Sequence, residues 1–157
     1  METRMETTRR GKTMNVLLVG NNPMEMGGVL EKLKQIRGQR IATEIAFDLK
    51  SILERLLRFK PNFILIDDNI GRQLLMETVN TLSSNRSTKD VPITVLKNSN
   101  YSESFASNSI LDYLLKQNLS ADDLYKTLKN TLRFRTTQRY LYQVYQKRRV
   151  QLLRALK

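Results

Sequence analysis

Acidic and basic side chains stand directly after three of the apolar runs of this sequence. Asp67 and Asp68 follow one run, Lys97 follows the next, and Lys116 follows the last. The chain contains no cysteine and no histidine. This excludes thiol nucleophiles, disulfides, zinc sites of cysteine or histidine, Ser-His-Asp triads and phosphohistidine. Any chemistry would therefore depend on a carboxylate and amines. Since no glycine-rich phosphate loop accompanies them, we expect that the protein is not an enzyme.

Five short apolar runs alternate with amphipathic stretches, which predicts repeated strand–helix units around a parallel sheet. The predicted strands are Asn15–Val19, Ile41–Ala46, Asn62–Ile66, Pro92–Leu96 and Ile110–Leu115. The first, third and fourth are almost wholly apolar and fit central strands, whereas the second has the polar interruptions of an edge strand. The carboxyl ends of parallel strands meet at one edge. We therefore expect the residues that follow the strands to converge there.

Helical spacing of apolar residues predicts the connecting helices. They cover Met26–Ile36, Asp48–Phe59 with Asp48 as N-cap, Arg72–Leu82, and a last helix that opens at Ser120. The polar segment 98–109 would form at most a short, marginal helix. No proline or glycine follows Ser120, so the last helix is expected to run well past a globular body.

Several of these segments resemble the receiver domain of bacterial two-component response regulators, over about residues 14–130. FILIDDNIG resembles the phosphoacceptor segment, VPITVLK the fourth strand, and DYLLK the motif on the fifth strand. The resemblance implies a flavodoxin-like fold, in which a doubly wound, five-stranded parallel sheet has the order 2-1-3-4-5. The extended C-terminal helix would be an addition to it.

The resemblance also implies roles for individual residues. Asp67 would be the phosphoacceptor, Lys116 the phosphate-sensing lysine and Tyr113 the aromatic residue that changes rotamer. The main-chain carbonyl of Asn69 would help Asp67 to ligate Mg²⁺. The implied function is phosphorelay signalling by protein–protein interaction, with a sensor histidine kinase or another phosphorelay protein as partner.

The sequence departs from the family pattern at the site itself. Gly20 and Asn21 stand where the family has an acidic pair that holds magnesium, and Lys97 replaces a serine or threonine. Mg²⁺ is usually held by carboxylates, so the expected site is weak. Our hypothesis is that Lys97 and Lys116 both face Asp67, keep it ionised and lock the domain in one state.

Plainer interpretations of the same residues remain open. Asp67 and Asp68 could cap the next helix, which is a common use of aspartate after a strand. Lys97 and Lys116 could be solvated loop lysines, and Tyr113 could be a packed aromatic residue.

The positive charge is concentrated at the C-terminus. The chain has 27 Lys+Arg against 15 Asp+Glu, a net charge of +12, and residues 133–157 contain eight basic and no acidic residues. The candidate contact residues of this tail are Arg133, Arg135, Arg139, Lys147, Arg148, Arg149 and Arg154. Leucines and tyrosines at helical spacing lie between them. A homodimer seam, which Arg148 would interrupt, an acidic protein or nucleic acid, a membrane-surface helix and a frayed linker all remain open.

The sequence thus divides into three parts. Residues 1–13 are predicted to be disordered, residues 14–132 to form the receiver-like domain, and residues 133–157 a basic helical extension. A start at Met14, which precedes the first predicted strand, remains open. No apolar run approaches the ~20 residues that span a bilayer, and no secretion signal is present at the N-terminus, so the expected location is the cytoplasm.

Overall fold

The computed structural model describes residues 12–98 and 110–156. The segment predicted to be disordered falls almost wholly outside these residues, as does the marginal helix predicted within 98–109. None of the helices among the described residues is both long enough and apolar enough to cross a membrane.

Five strands of the described part of the chain form one parallel sheet. They are β1 (Met14–Val19), β2 (Ile41–Ala46), β3 (Phe63–Asp67), β4 (Ile93–Lys97) and β5 (Ile110–Leu115). Their order is β2-β1-β3-β4-β5, which confirms the predicted flavodoxin-like topology and the edge position of the second strand. Strands β3 and β4 end one residue later than predicted, because Asp67 pairs with Leu96 and Lys97 with Leu115 in the ladder. The site residues therefore belong to the strand ends themselves.

In the described ranges four α-helices connect and flank the strands. They are α1 (Pro23–Lys34), α2 (Leu49–Leu56), α3 (Arg72–Ser84) and α4 (Ala121–Ala155). Asp48 caps α2 as predicted: its side chain accepts from the Ser51 amide, and the Ser51 hydroxyl accepts from the Asp48 amide. Helix α2 ends at Leu56, before the predicted Phe59.

Each central strand packs against helices on both faces of the sheet. In β1, Val16 and Leu18 belong to the core under α1 and α4, whereas Leu17 and Val19 belong to the core under α2 and α3. All four are at most 1% exposed. Because successive strand side chains point to opposite faces, a strand covered twice must be apolar throughout, which explains why these runs lack alternation.

Helix α4 changes character along its 35 residues. Ser120 and Asp123 form a capping box at its start. The buried side chains of α4 are Leu124, Thr127, Leu128 and Thr131. From residue 133 to residue 156 every side chain is exposed or partly exposed. The first third of the helix thus packs on the body, and the remainder presents all its sides to the surroundings.

Candidate functional site

Asp67 lies at the carboxyl end of the central strand β3 and is fully buried. Its Oδ1 atom accepts hydrogen bonds from the Asn69 amide at 2.9 Å and from Lys116 Nζ at 2.7 Å. The Oδ2 atom is buried and has no hydrogen-bond partner among the described residues. A buried carboxylate with one bonded and one unbonded oxygen is costly to maintain, which identifies this strand end as the centre of the candidate site.

Lys116 follows β5 and links two carboxylates. Its Nζ atom lies 2.7 Å from Asp67 Oδ1 and 2.9 Å from Glu25 Oε2. Burial by itself lowers the pKa of Lys116, but the hydrogen bonds and charges of Asp67 and Glu25 outweigh burial and raise the pKa above its ordinary value. At neutral pH the lysine is therefore an ammonium that bridges the two acids.

Glu25 is the site residue that sequence analysis missed. It lies in the first turn of α1, where Asn22 caps the helix by accepting from the Met24 and Glu25 amides. Its Oε2 atom also accepts from Asn69 Nδ2 at 2.6 Å. The available signal was its position in a first helical turn directly after a strand, but acids there ordinarily indicate only a favourable interaction with the helix dipole.

The position of the missing acidic pair is closed by a methionine. A Cβ atom added to Gly20 would lie 2.4 Å from Met26 Sδ and 3.3 Å from Asp67 Cβ. The Met26 side chain is 3% exposed. A larger residue at position 20 would therefore displace the buried Met26 thioether from its place beside Asp67.

Lys97 and Tyr113 contact each other on neighbouring strands. Lys97 Nζ lies 5.2 Å from the centroid of the Tyr113 ring, within the range of a cation–π interaction. Burial raises the pKa of the Tyr113 hydroxyl. Among the described residues the ion pair of Asp67 is with Lys116, and the Lys97 ammonium lies over the Tyr113 ring, so the expected pairing of Lys97 with Asp67 is not found among them. The switch roles predicted for Lys97, Lys116 and Tyr113 stay predictions.

Amide side chains extend the site across the sheet edge. Asn98 Nδ2 donates to Asn69 Oδ1 at 2.9 Å, and the backbone amide of Asn98 donates to Asp68 Oδ1 at 3.3 Å. Asp68 and Asn69 belong to a 3-10 turn, residues Asp68–Ile70, that ends at Gly71 with φ 93°. That left-handed conformation favours glycine. It lets α3 begin at Arg72, directly after the turn, while the Asn69 amide keeps its hydrogen bond to Asp67 Oδ1.

The environment of Asp68 can be tested by the pH dependence of the stability of the folded protein. Burial raises its pKa, against the lowering effects of the Asn98 amide and the two lysines. A carboxyl whose pKa is raised on folding makes the folded state less stable as pH rises above its ordinary value of 3.8. We expect Asp68→Asn, which keeps the acceptor for Asn98, to gain stability relative to wild type between pH 3.8 and neutrality in urea unfolding. Asp90→Asn, at an exposed position, is the control, and a gain at Asp90 of the same size would contradict the assignment.

The described residues do not fit a magnesium site. The resemblance predicts Asp67 and the Asn69 carbonyl as ligands, and the unbonded Asp67 Oδ2 would suit a cation. However, the acidic pair is absent, Met26 occupies the space beside Gly20, and the Lys116 ammonium already lies between Asp67 and Glu25. The described residues contain no group of three acidic side chains that could hold a metal ion. An internal ammonium thus provides the positive charge here.

The predicted tail residues lie on one continuous helix, remote from these contacts in sequence. Arg133, Arg139, Lys147, Arg148, Arg149 and Arg154 are exposed, and Arg135 is partly exposed. Arg135 Nη1 donates to Gln138 Oε1 at 3.4 Å. The tail cations are therefore available to a partner of opposite charge.

Comparison with solved structures finds receiver domains. The receiver domain of a sensor histidine kinase from Pseudomonas aeruginosa PAO1, solved with magnesium in its active site cleft, has a TM-score of 0.65 at 17% identity, covering 77% of this chain and 98% of that one. A two-component response regulator from Legionella pneumophila has a TM-score of 0.63 at 23% identity, covering 76% and 98%. The signal receiver domain of an HD domain-containing protein from Pseudomonas fluorescens Pf-5 has a TM-score of 0.64 at 12% identity, covering 80% and 99%.

Comparisons with protein-family models and with curated proteins found no match. At these identities the likeness is one of fold, and it confirms the receiver-domain fold that the motifs predict. The described body is a receiver-fold domain in which Lys116 contacts Asp67, as the sequence predicts, and Glu25 contacts Lys116, which sequence analysis did not predict.

Proposed function

We propose that this chain is an atypical, response regulator-like signalling protein that acts by binding other proteins. In this proposal Asp67 occupies the phosphoacceptor position, and Lys116 and Glu25 hold it in one state. The observation that carries the proposal is the Lys116 ammonium, 2.7 Å from Asp67 and 2.9 Å from Glu25 in a largely buried pocket.

The contacts of Asp67 oppose its use as a nucleophile. A carboxylate attacks a phosphodonor with an oxygen lone pair. Asp67 Oδ1 already engages the Lys116 ammonium and the Asn69 amide, and Oδ2, which has no partner among the described residues, is buried away from a donor. The developing charge on a transferred phosphoryl group is ordinarily neutralised by metal ions together with positioned donors. Since the residues around Asp67 do not offer a magnesium site, we propose a domain whose binding surface does not depend on phosphorylation.

Partners follow from the fold and remain part of the proposal. One of the similar structures is the receiver domain of a sensor histidine kinase, and we propose that the body contacts a kinase of that class or another phosphorelay protein. The tail of α4 would supply a second, output contact. Without cysteine, histidine or a phosphate loop, we assign the protein no enzymatic activity.

Intact mass spectrometry tests the state of Asp67. We expect wild-type protein incubated with magnesium and acetyl phosphate to show no gain in mass, because Lys116 occupies Asp67 Oδ1. A receiver domain known to accept phosphate from this donor, treated in parallel, verifies the reagent. A gain of about 80 Da, one phosphoryl group, on wild type and not on Asp67→Ala would refute the locked state and assign Asp67 as a working phosphoacceptor.

A second candidate function is a binding module in which the receiver fold is a scaffold for the basic tail. It is favoured by one observation: eight basic residues and no acidic residue between 133 and 157, against 15 basic and 13 acidic residues from 14 to 132. Nucleic acid and acidic protein are the partners that such a charge attracts.

A further inference from the structure

We infer that the helical tail, residues 133–156 of α4, binds within an acidic, apolar groove of a partner protein. The inference concerns the output contact and does not depend on whether Asp67 accepts a phosphoryl group. It rests on three properties of the tail: its charge, an exposed apolar stripe, and the distribution of cations around the helix.

The first property is unbalanced positive charge. No acidic side chain lies between residues 133 and 157 to offset the eight basic ones. Two tails packed side by side would bring fourteen cations together, since each copy of residues 133–156 contributes 7, with no interchain salt bridge between the tails to set the pairing. Arg148 would also lie in the seam, between Tyr145 and Leu152. The charge therefore opposes a second copy of the tail and favours a polyanionic partner.

The second property is an uncovered apolar stripe. At about 100° per residue, five side chains share one face of the tail and are 51–77% exposed: Phe134, Leu141, Tyr145, Leu152 and Leu156. Their spacing of seven and four residues is that of anchors which enter a hydrophobic groove. Nucleic acid offers phosphates to the arginines and base faces to the tyrosine, but it leaves the leucines uncovered. The stripe therefore requires a partner with an apolar surface.

The third property is the position of the cations around the helix. Arg139, Lys147 and Arg154 lie on the side opposite the stripe, by the same helical geometry. A bilayer covers one side of an interfacial helix and leaves the opposite side in water, where these three charges gain little from lipid headgroups. A protein groove with acidic walls contacts the stripe and both flanks. This distribution favours a groove over an anionic membrane.

Titration calorimetry with a reference groove protein tests the inference on the full chain. The probe is calmodulin, an acidic protein whose methionine-lined groove opens when calcium binds. We expect binding to calcium-loaded calmodulin and much weaker binding to the calcium-free form, which is acidic but lacks the open groove. Equal binding of the two forms, or none, would refute a groove-binding tail.

A matched pair of double variants separates apolar anchoring from charge. Leu141→Asp with Leu152→Asp places two acids on the stripe, whereas Thr136→Asp with Gln143→Asp makes the same charge change on the opposite side. All four positions are exposed, so the body should remain folded. We expect the stripe variant to bind about 30-fold more weakly than wild type and the control variant to lose much less. Similar losses in both variants would contradict the stripe.

Other occupants give distinct results in the same buffer. Tighter binding to vesicles of equal parts phosphatidylcholine and phosphatidylserine, or to duplex DNA, than to calcium-loaded calmodulin would overturn the inference. The inference would also be overturned if wild type sedimented as a dimer and the Leu141→Asp variant sedimented as a monomer. None of these binding results affects the mass-spectrometry test of Asp67 phosphorylation. The proposal of a locked pocket and the inference of a groove-binding tail can therefore be refuted independently of each other.

Discussion

Lys116→Met is expected to lose about 3–5 kcal/mol of unfolding free energy at neutral pH, the usual cost of breaking a buried ion pair from one side. The lost ammonium is 12% exposed and its partner Asp67 is 1% exposed, so water cannot replace the contact without entering the core. Asp67 would keep only the Asn69 amide as a donor. Urea unfolding of the variant against wild type measures the loss, with Lys89→Met, at an exposed position, as control.

The same variant has a defined pH dependence. The pKa of Lys116 is raised on folding from its ordinary value of 10.5, so its contribution is complete below pH 10.5 and is lost as pH rises through the higher folded value. The difference between wild type and Lys116→Met should therefore be constant from neutral pH to pH 10.5 and shrink above it. A variant as stable as wild type at neutral pH would show that the bridge contributes nothing, and a difference that grows above pH 10.5 would reverse the assigned sign.

Gly20→Asp is expected to destabilise the protein by about 3 kcal/mol, chiefly through overpacking. The new Cβ would lie 2.4 Å from Met26 Sδ, so the buried methionine must leave its place. The added carboxylate would also stand beside Asp67 and compete for the single Lys116 ammonium. Urea unfolding measures the loss, and Gly20→Ala, which adds the Cβ without the charge, separates the steric from the electrostatic part.

The double variant Gly20→Asp with Met26→Ala tests why the site does not fit magnesium. Removing the thioether makes room for the new carboxylate, and two adjacent carboxylates attract a divalent cation. We expect magnesium chloride to stabilise this double variant and to leave wild type unchanged, compared at matched ionic strength. An equal magnesium effect on wild type would show that the natural pocket already binds the ion.

The strands and their order could be predicted from the sequence because both depend on local pattern. Apolar runs such as NVLLV and NFILI are typical of strands covered on both faces, and the IATEIA run shows the polar positions of an edge. The starts of α2 and α4 were predictable for the same reason, since Asp48 and Ser120 are capping residues with a bonding partner three positions on. Helix α1 begins at Pro23, three residues before the predicted Met26. The end of α2 at Leu56 was missed because helix ends fray and lack so strong a signal.

The site was predictable only in part. The convergence of Asp67 and Lys116 was predictable from the parallel sheet, because the carboxyl ends of all its strands lie at one edge and only β4 separates β3 from β5. The placement of Lys97 was wrong because a flexible lysine at a strand end can turn toward either neighbour, and the Tyr113 ring on β5 offers it a contact. Packing of a particular side chain decides such a choice, and the sequence pattern carries no record of it.

By itself, the sequence determined the parallel sheet, the absence of thiol and imidazole chemistry, and the cationic, apolar tail, since each depends on residue type and spacing along the chain. Only the tertiary structure decided that Glu25 reaches Lys116 from the first turn of α1 and that Met26 fills the space beside Gly20. Glu25 and Lys116 are far apart in the chain, and their contact exists because α1 begins and β5 ends at the same edge of the sheet. Whether a lysine bridges two acids or faces solvent is a property of that packing, which no local pattern specifies.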